Sequence, residues 1–452
     1  MGKLSMVTVG WLGAVVFASC ASTDAVETET AERPPVADLA AVSAQPESPQ
    51  SLRPGAFEQL DVQAVGSESL RGLSVPSAGV VWVSGANGVV ARTEDSGATW
   101  IDAGIAEAAA DGLDLRCIVA FDAQSAWAAS SGPGEASRLF HTTDGGSSWT
   151  TVMTNADPEG FFDGLAFWDR KNGILLGDPT DGYLTILVTA DAGQTWERRG
   201  DAEVFALPAP PAVVVIDGDL SVGLTDQQRE DAAAQGKAFS EEGDDLAAVG
   251  AMISQQEEME LILNPMGEYC FAASNQSIAL KGRSTAWIGT GGKVARVFKT
   301  LDRGLNWTVA STPLRQEDEA AGVFALSFRD FKNGVAVGGM YTDADGSEGN
   351  CAVTSDGGAT WNLVANPPAG YRSSVCDLAG ADDVWMSVGT NGSSVADGSL
   401  GQDWGNFSEL GRGGPAALNS VASDPKGQAF WVVGSGGFVA RMPADVKEVV
   451  WD

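Results

Sequence analysis

One eight-residue pattern, T-x-D-x-G-x-x-W, recurs along the chain and constrains its fold more than any other feature. Five copies and one decayed copy, DGSLGQDW, end at Trp100, Trp149, Trp196, Trp307, Trp361 and Trp404. Strand-like apolar runs flank each copy. A repeat of roughly 45 residues between such runs is typical of an array of small antiparallel sheets, which is the β-propeller architecture. The repeat therefore predicts an all-β fold before any other residue is considered.

Each residue type in the pattern has a role in a hairpin turn between the two outer strands of a blade. The Asp carboxylate can accept hydrogen bonds from turn N–H groups, and the Gly can adopt a positive φ. The Trp can pack between neighbouring blades. The turn carboxylates, which we assign a structural role, are Asp95, Asp144, Asp191, Asp302 and Asp356.

The pattern resembles the Asp-box, or BNR, repeat. Sialidases and other glycosidases carry this box, and so do propellers of the photosystem II stability/assembly factor type. The resemblance to the latter group covers residues 57–452 and includes FFDGLAFWDRKNGILLGDPTDG and GVFALSFRDFKNGVAVGG outside the boxes. It implies a propeller that helps to assemble or stabilise a membrane protein complex. Because one fold hosts many activities, function must be argued from the site.

The repeats divide the chain into seven blades with one insertion. The expected blades are 69–102, 113–152, 161–199, 269–310, 322–364, 371–407 and 417 onward. Residues 57–65 resemble a lone strand, which we expect to pair into the last blade and close the ring. The insertion, 201–268, begins with a hairpin around Asp217 and Gly218, and two helices are expected near 225–239 and 244–263. The insertion serves either as a surface excursion or as a lid and partner-binding element.

The N-terminus has the features of an export signal. Lys3 precedes an apolar run at 4–17 that is too short to span a membrane. Phe17-Ala18-Ser19-Cys20 resembles a bacterial lipobox, which predicts lipidation of Cys20; ordinary cleavage near Ala21 is the alternative, giving a secreted form. Residues 21–56 are rich in Glu, Pro, Ala and Ser and predict a disordered tether. We therefore expect a signal peptide at 1–20 and a location in the cell envelope, on the periplasmic face of the outer membrane.

Charge and cysteine content exclude several classes of function. The formal net charge of −33 argues against a nucleic-acid partner, which would need a basic footprint. It indicates a solvated acidic surface or a cationic partner. The remaining cysteines lack the close spacing of a metal or redox pair, and no disulfide can be assigned among them. They are Cys117, Cys270, Cys351 and Cys376.

Charged residues near the start of the innermost strands are the main candidates for a ligand site. An alignment of the blades places Arg71, Arg116, Asp163, Phe324, Arg372 and Asn419 at one equivalent position. Three arginines converging on a central channel would bind a carboxylate or phosphate. The alternative is that they form solvated ion pairs, such as Arg71 or Arg116 with Asp163, in a water-filled channel.

The arginines also suggest a sialidase-like glycoside hydrolase. That chemistry requires a Tyr nucleophile with a Glu partner and an Asp acid/base. Tyr371, beside Arg372, is the one tyrosine that can be placed near the arginines, and the family's FRIP-type motif is absent. The single histidine, His141, excludes His-based triads and multi-His metal sites.

The loop GDPTDGY, at 177–183, is the most distinctive segment outside the boxes. Asp178 and Asp181 can bind a cation or accept hydrogen bonds from a ligand, with Tyr183 beside them; a simple turn is the alternative. Gly291-Gly292, Arg296 and Tyr341 are further candidates for one face of the ring.

Taken together, the sequence favours a binding or assembly-assisting module over an enzyme. We expect no catalytic residues, no cofactor and no metal. The expected partner is a membrane or envelope protein bound by a monomer, and carbohydrate remains a second type of ligand. The alternative functions are a glycoside hydrolase and a carbohydrate-binding lectin.

Overall fold

The structure is a computed structural model that describes residues 57–180, 183–199, 212–216, 219–223, 268–379, 384–397, 401–407 and 417–443. Within these ranges the single α-helix is short (Ala106–Ala110), and no helix combines the length and apolarity needed to cross a membrane. The expected signal sequence, the expected tether and both helices expected in the insertion lie outside the described residues.

The chain forms a seven-bladed β-propeller whose blades are antiparallel sheets. A first strand, β1 (Glu58–Leu60), precedes blade one. Blades one to three comprise β2 (Leu70–Ser77), β3 (Val80–Gly85), β4 (Val90–Thr93) and β5 (Ile101–Asp102); β6 (Cys117–Ala120), β7 (Ala126–Ala129), β8 (Arg138–Thr142) and β9 (Thr150–Thr154); and β10 (Phe162–Phe167), β11 (Gly173–Thr180), β12 (Tyr183–Thr189) and β13 (Glu197–Arg199).

Two short pieces of sheet separate blades three and four. The expected hairpin of the insertion is present as β14 (Ala212–Ile216) paired with β15 (Asp219–Gly223). Next comes β16 (Glu268–Tyr269). Blade four then comprises β17 (Ile278–Lys281), β18 (Thr285–Gly289), β20 (Arg296–Thr300) and β21 (Thr308–Ser311), with β19 (Gly291–Gly292) in the loop between β18 and β20.

Blades five to seven complete the ring. They comprise β22 (Asp318–Phe328), β23 (Gly334–Met340), β24 (Cys351–Thr354) and β25 (Asn362–Leu363); β26 (Ser374–Asp377), β27 (Val384–Gly389), β28 (Gly392–Asp397) and β29 (Gly405–Phe407); and β30 (Leu418–Ser423), β31 (Ala429–Gly434) and β32 (Val439–Pro443). Blade four therefore begins at Ile278, later than the Tyr269 expected from the repeats. Tyr269 instead pairs with Gly291 of β19, which pairs in turn with β22 of blade five.

The N-terminal strand closes the ring, as expected. β1 pairs with β32, with Gln59 opposite Ala440, so the outermost strand of the last blade comes from the start of the chain. The innermost strand of each blade contacts those of both neighbours, and β30 lies against β2. Closure in this way removes the sheet edges that a linear array would expose.

Buried tryptophans pack each blade against the next. Trp82 of β3 is fully buried, and its ring meets Trp149 edge-on at 6.3 Å between ring centroids. Trp431 of blade seven meets Trp100 of blade one in the same way at 6.4 Å. The tryptophan that ends a T-x-D-x-G-x-x-W turn thus packs on the second strand of the preceding blade, which couples the repeat to the core.

The turn carboxylates hold the outer hairpins. Oδ1 of Asp144 accepts hydrogen bonds from the Thr142 hydroxyl at 2.9 Å and from the Ser148 N–H at 2.9 Å, and Oδ2 accepts from the Ser148 hydroxyl at 2.6 Å. Gly146 follows with a φ of 80°, where a Cβ would meet Ala103 at 2.5 Å. The same arrangement recurs at Asp95, Asp191, Asp302 and Asp356.

The four described cysteines are buried and unpaired. Burial raises the pKa of the Cys117 and Cys270 thiols well above the ordinary range. These thiols are protonated and pack as small apolar side chains.

Candidate functional site at the channel mouth

The channel of the propeller is filled by a stretch of its own chain, residues 270–277, which we call the plug. The Gln276 amide donates to the Val421 carbonyl on the opposite side of the ring at 2.8 Å, and its oxygen accepts from the Val375 N–H at 2.9 Å. Ser274 donates to the Ser373 carbonyl at 2.6 Å. The plug thereby ties blade four to blades six and seven across the centre. It directly follows the insertion, and nothing in the repeat pattern predicted it.

Two of the predicted arginines share one carboxylate at the mouth of this channel. Asp114 accepts a hydrogen bond from Arg116 Nε at 2.8 Å, and Arg71 Nε lies 3.9 Å from the same oxygen. Arg71 also reaches the plug, at 3.5 Å from the Ala273 carbonyl oxygen. The two arginine side chains are 30% and 29% exposed. Two guanidinium groups therefore meet one carboxylate, which leaves an excess of positive charge facing solvent.

Burial and the neighbouring Arg116 both lower the pKa of Arg71, whereas Asp114 opposes that shift. A cation in such surroundings gains from an additional anion, because the anion would offset the lost hydration. The pair is thus suited to accept a carboxylate or phosphate group.

Aromatic rings form one wall beside the arginines. Phe324 stacks on Phe271 of the plug with 3.8 Å between centroids, and Tyr371 meets Phe324 edge-on at 4.8 Å. Tyr341 continues the wall at 6.2 Å from Phe324 and is 52% exposed. A ligand with an apolar portion and a terminal anion would match this combination.

Tyr371 is placed poorly for nucleophilic catalysis. Its side chain is 5% exposed, and burial raises its pKa, an effect that Arg71 only partly opposes. A sialidase-type mechanism needs an accessible phenol assisted by a carboxylate. The geometry therefore gives no support to the role that a sialidase would require of this residue.

Two other carboxylates lie beneath the arginines, in blade three. Asp163 is 1% exposed and its Oδ2 has no hydrogen-bond partner among the described residues; burial and Asp178 raise its pKa well above the ordinary range, against the opposing effect of Arg116. Burial raises the pKa of Asp178 to about 6, although it accepts a hydrogen bond from the Cys270 N–H at 3.2 Å. We infer that the pair holds at least one proton near neutral pH.

Arg372 and Asn419 use their polar groups inside the fold. Arg372 is 1% exposed and donates to Asn391 Oδ1 at 2.6 Å and to the Ser394 hydroxyl at 2.8 Å, both within blade six. Asn419 donates to the Leu70 carbonyl at 2.7 Å and so joins blade seven to blade one. The structure therefore does not bring these two side chains to Arg71 and Arg116.

The strand register explains the difference at Arg372. In blade one the innermost strand has a bulge at Arg71, because Leu70 pairs with Gly85 and Gly72 with Ser84. In blade six Ser374 pairs with Val388 as Gly72 pairs with Ser84, and Arg372 lies against Gly389 as Leu70 lies against Gly85. Ser373 therefore stands at the position of Arg71, and the expected alignment was one residue out in this blade.

The other predicted candidates are placed as follows. Tyr183 begins β12 and pairs with Thr180, whereas Asp181 lies outside the described residues. Arg296 forms a buried ion pair with Glu268, which also accepts from the Thr290 hydroxyl at 2.6 Å. His141 stacks on Trp127 with 4.1 Å between centroids. Reasoning from the sequence missed Asp114 and the plug, since neither lies in a repeated motif.

Comparisons with known proteins place the fold. No protein-family model and no curated protein matches the sequence. Among solved structures, the chain is similar to YCF48 from Cyanidioschyzon merolae, with a TM-score of 0.52, 14% identity, and coverage of 86% of this chain and 99% of that one. At this level of identity the likeness shows the fold alone, and the expected resemblance to assembly-factor-type propellers is confirmed to that extent.

Two further structures are similar at lower TM-scores. One is YCF48 bound to D1 peptide, with a TM-score of 0.37, 15% identity, and coverage of 88% of this chain and 100% of that one. The other is the Niastella koreensis GH74 enzyme, with a TM-score of 0.48 and 14% identity; the match covers 85% of this chain but 53% of the enzyme.

Proposed function

We propose that this protein is a non-catalytic binding module that assists the assembly of a membrane or envelope protein complex. The observation that carries the proposal is the pair Arg71 and Arg116, each about 30% exposed, on a single carboxylate beside an aromatic wall. Such a mouth suits an acidic side chain or a terminal carboxylate of a partner chain. The fold likeness to YCF48 is compatible with this role, and the sequence resembles propellers of the photosystem II stability/assembly factor type.

The partner should depend on the arginine pair. We would capture the full-length protein from its own membranes and compare wild type with Arg71→Ala/Arg116→Ala. The matched control is Arg199→Ala/Lys426→Ala, which removes the same charge outside the mouth, at side chains at least as exposed as those of Arg71 and Arg116. Loss of about tenfold or more of one bound protein in the first variant, but not in the control, is the expected result. Equal recovery in all three would contradict the proposal.

The proposal includes export and a lipid anchor at Cys20, with a location on the periplasmic face of the outer membrane. The lipobox-like sequence at 17–20 supports it. Replacing Cys20 by Ser should move the protein from the membrane fraction to the soluble fraction of the envelope. An unchanged distribution would argue for ordinary cleavage and secretion.

A glycoside hydrolase is the second candidate, favoured by Asp163 and Asp178. A carboxyl group that keeps its proton near neutral pH is suited to act as a general acid. Against this role, Asp163 is 1% exposed and the plug lies on Asp178. Hydrolysis of a panel of glycosides, abolished by Asp178→Asn, would establish the enzyme; binding of the same glycans without turnover would indicate a lectin.

A further inference from the structure

The face of the propeller opposite the channel mouth carries, in blades three to five, a patch whose charge differs from that of the same face in blades one and two. This face is formed by the turns between the first and second and between the third and fourth strands of each blade. In blades three to five these turns carry six cationic side chains against five carboxylates: Arg170, Lys171, Arg283, Arg303, Arg329 and Lys332 against Asp169, Asp191, Asp302, Asp330 and Asp356. The same turns of blades one and two carry no cation and four acidic residues, Glu94, Asp95, Asp122 and Asp144. We call the former set the basic strip.

Exposed apolar side chains project from the basic strip. Leu301 is 65% exposed, Leu305 is 53% exposed and Phe331 is 56% exposed. They are three of the six large hydrophobic residues that are exposed in the described part of the chain. A cluster of this kind on a soluble surface marks an interaction site more often than a scatter of single residues does.

The turn geometry does not require these residues. In the fourth box, TLDRGLNW, the turn is held by Thr300, Asp302 and Gly304, since the Thr300 hydroxyl bonds both Asp302 Oδ1 at 2.8 Å and the Gly304 N–H at 2.9 Å. Leu301, Arg303 and Leu305 occupy the variable positions, where the other four boxes have Ala, Glu, Gly, Gln, Ser or Thr. Turn formation therefore leaves their identity unexplained.

Contacts between blades make the basic strip a continuous and rigid surface. Arg303 donates to the Arg283 carbonyl at 2.7 Å and to Asn172 Oδ1 of blade three at 2.8 Å. Phe331 of blade five lies over Gly282 of blade four, where an added Cβ would be 2.9 Å from its ring. The apolar tips and the cations are thus held in fixed relation to one another.

From this arrangement we propose that the basic strip docks the propeller on an anionic lipid surface. Cations attract phosphate headgroups, and Leu301, Leu305 and Phe331 enter the interface between headgroups and acyl chains. The overall charge of −33 does not prevent this, because charges more than about 10 Å from the membrane are screened at physiological ionic strength. This negative charge instead orients the molecule, since the anionic membrane repels the acidic faces. The channel mouth then faces away from the membrane that the basic strip contacts.

The test measures binding of the full chain to vesicles. Cys20→Ser is included in every protein so that no acyl chain contributes. Vesicles of phosphatidylcholine with phosphatidylglycerol are compared with vesicles of phosphatidylcholine alone by co-sedimentation. We expect binding to the anionic vesicles, weaker binding to the neutral ones, and loss of the difference at high salt.

Two pairs of matched variants locate the surface. Lys171→Glu/Lys332→Glu should lower the partition coefficient on anionic vesicles by about tenfold or more, whereas Lys293→Glu/Arg315→Glu, with the same change of net charge on the opposite face, should not. Leu305→Ser/Phe331→Ser should weaken binding several-fold, and Ile101→Ser/Leu363→Ser, also at exposed positions, should leave it unchanged. The side chain of Arg315 is 34% exposed and the other replaced side chains of these four variants are exposed, so the fold is retained.

Three outcomes would overturn the proposal. One is equal binding of wild type to anionic and neutral vesicles. Another is an equal loss in the two charge-reversal variants, which would show a general charge effect. The third concerns Lys171→Glu/Lys332→Glu. If this variant binds vesicles as wild type does but sediments differently from wild type when vesicles are absent, the basic strip contacts a second copy of the chain. None of these measurements depends on the arginines of the channel mouth, so the two proposals can fail separately.

Discussion

Gln276, just before the first strand of blade four, donates its side-chain amide to the backbone carbonyl of Val421 in blade seven, at 2.8 Å across the centre of the ring. Its oxygen also accepts hydrogen bonds from Ser374 and from the Val375 N–H in blade six. One side chain thus satisfies polar groups of two innermost strands, which would otherwise face an unfilled channel.

Replacing Gln276 by Leu should destabilise the fold by about 2–4 kcal/mol, because it leaves the Val375 N–H without a partner and the Val421 carbonyl with only the Ser374 hydroxyl, 3.4 Å away. The free energy of unfolding from urea titration would measure this. Gln428→Leu is the control, because that side chain is exposed. A loss no larger than in the control would mean that water replaces the amide and that the plug contributes little.

Glu268 should be essential for stability because it is paired with Arg296 in the interior. The carboxylate and guanidinium side chains are 1% and 7% exposed. Glu268→Ala removes the carboxylate that pairs with this buried cation and is expected to cost about 3–5 kcal/mol in the free energy of unfolding. The exposed pair of Glu197 and Arg199 supplies the comparison, and Glu197→Ala should cost about 0–1 kcal/mol. Similar losses of unfolding free energy in the two variants would contradict the stabilising role of the buried pair.

The turn carboxylates should make the fold sensitive to acid. The Ser148 hydroxyl, followed by the Ser148 N–H, lowers the pKa of Asp144 to about 2. Because this pKa is lower in the folded state, its stabilising effect is present above about pH 4 and is lost as the pH falls toward 2. Asp144→Asn should reduce the slope of the urea midpoint against pH in that range. Glu159→Gln, which removes one exposed charge, should preserve the slope, and a parallel loss there would refute the explanation.

Asp178 should give the fold the opposite pH dependence of stability. Burial raises its pKa to about 6, so its protonated form is favoured in the folded state. The stability that this group contributes is complete below about pH 4 and is lost as the pH rises through 6. Asp178→Asn keeps an oxygen for the Cys270 N–H, and its urea midpoint should exceed that of wild type above pH 6 and match it near pH 4. A uniform shift at all pH values would show that packing, and not charge, is responsible.

The sequence by itself determined the propeller, because the T-x-D-x-G-x-x-W turns are local. The Asp, Gly and Thr of each turn form hydrogen bonds with one another within a few residues, so their spacing can be read directly from the sequence. The closing strand at Glu58–Leu60 was also predictable, since an unpaired strand before a ring of complete blades has one free edge to fill. Arg71 and Arg116 were identified for a similar reason, as they occupy corresponding positions in blades one and two.

Only the tertiary structure decided which residues lie at the centre of the ring and on the face opposite the channel mouth. Asp114 meets Arg71 of the neighbouring blade, and Arg71 reaches Ala273 of the plug, through contacts between residues far apart in sequence. Arg372 was assigned to the mouth by alignment, but the strand register places it at the position of Leu70, so its side chain points into blade six. The basic strip likewise depends on turns of three separate blades meeting on one surface. A periodic pattern records what each blade does alone, whereas these sites arise where several blades come together.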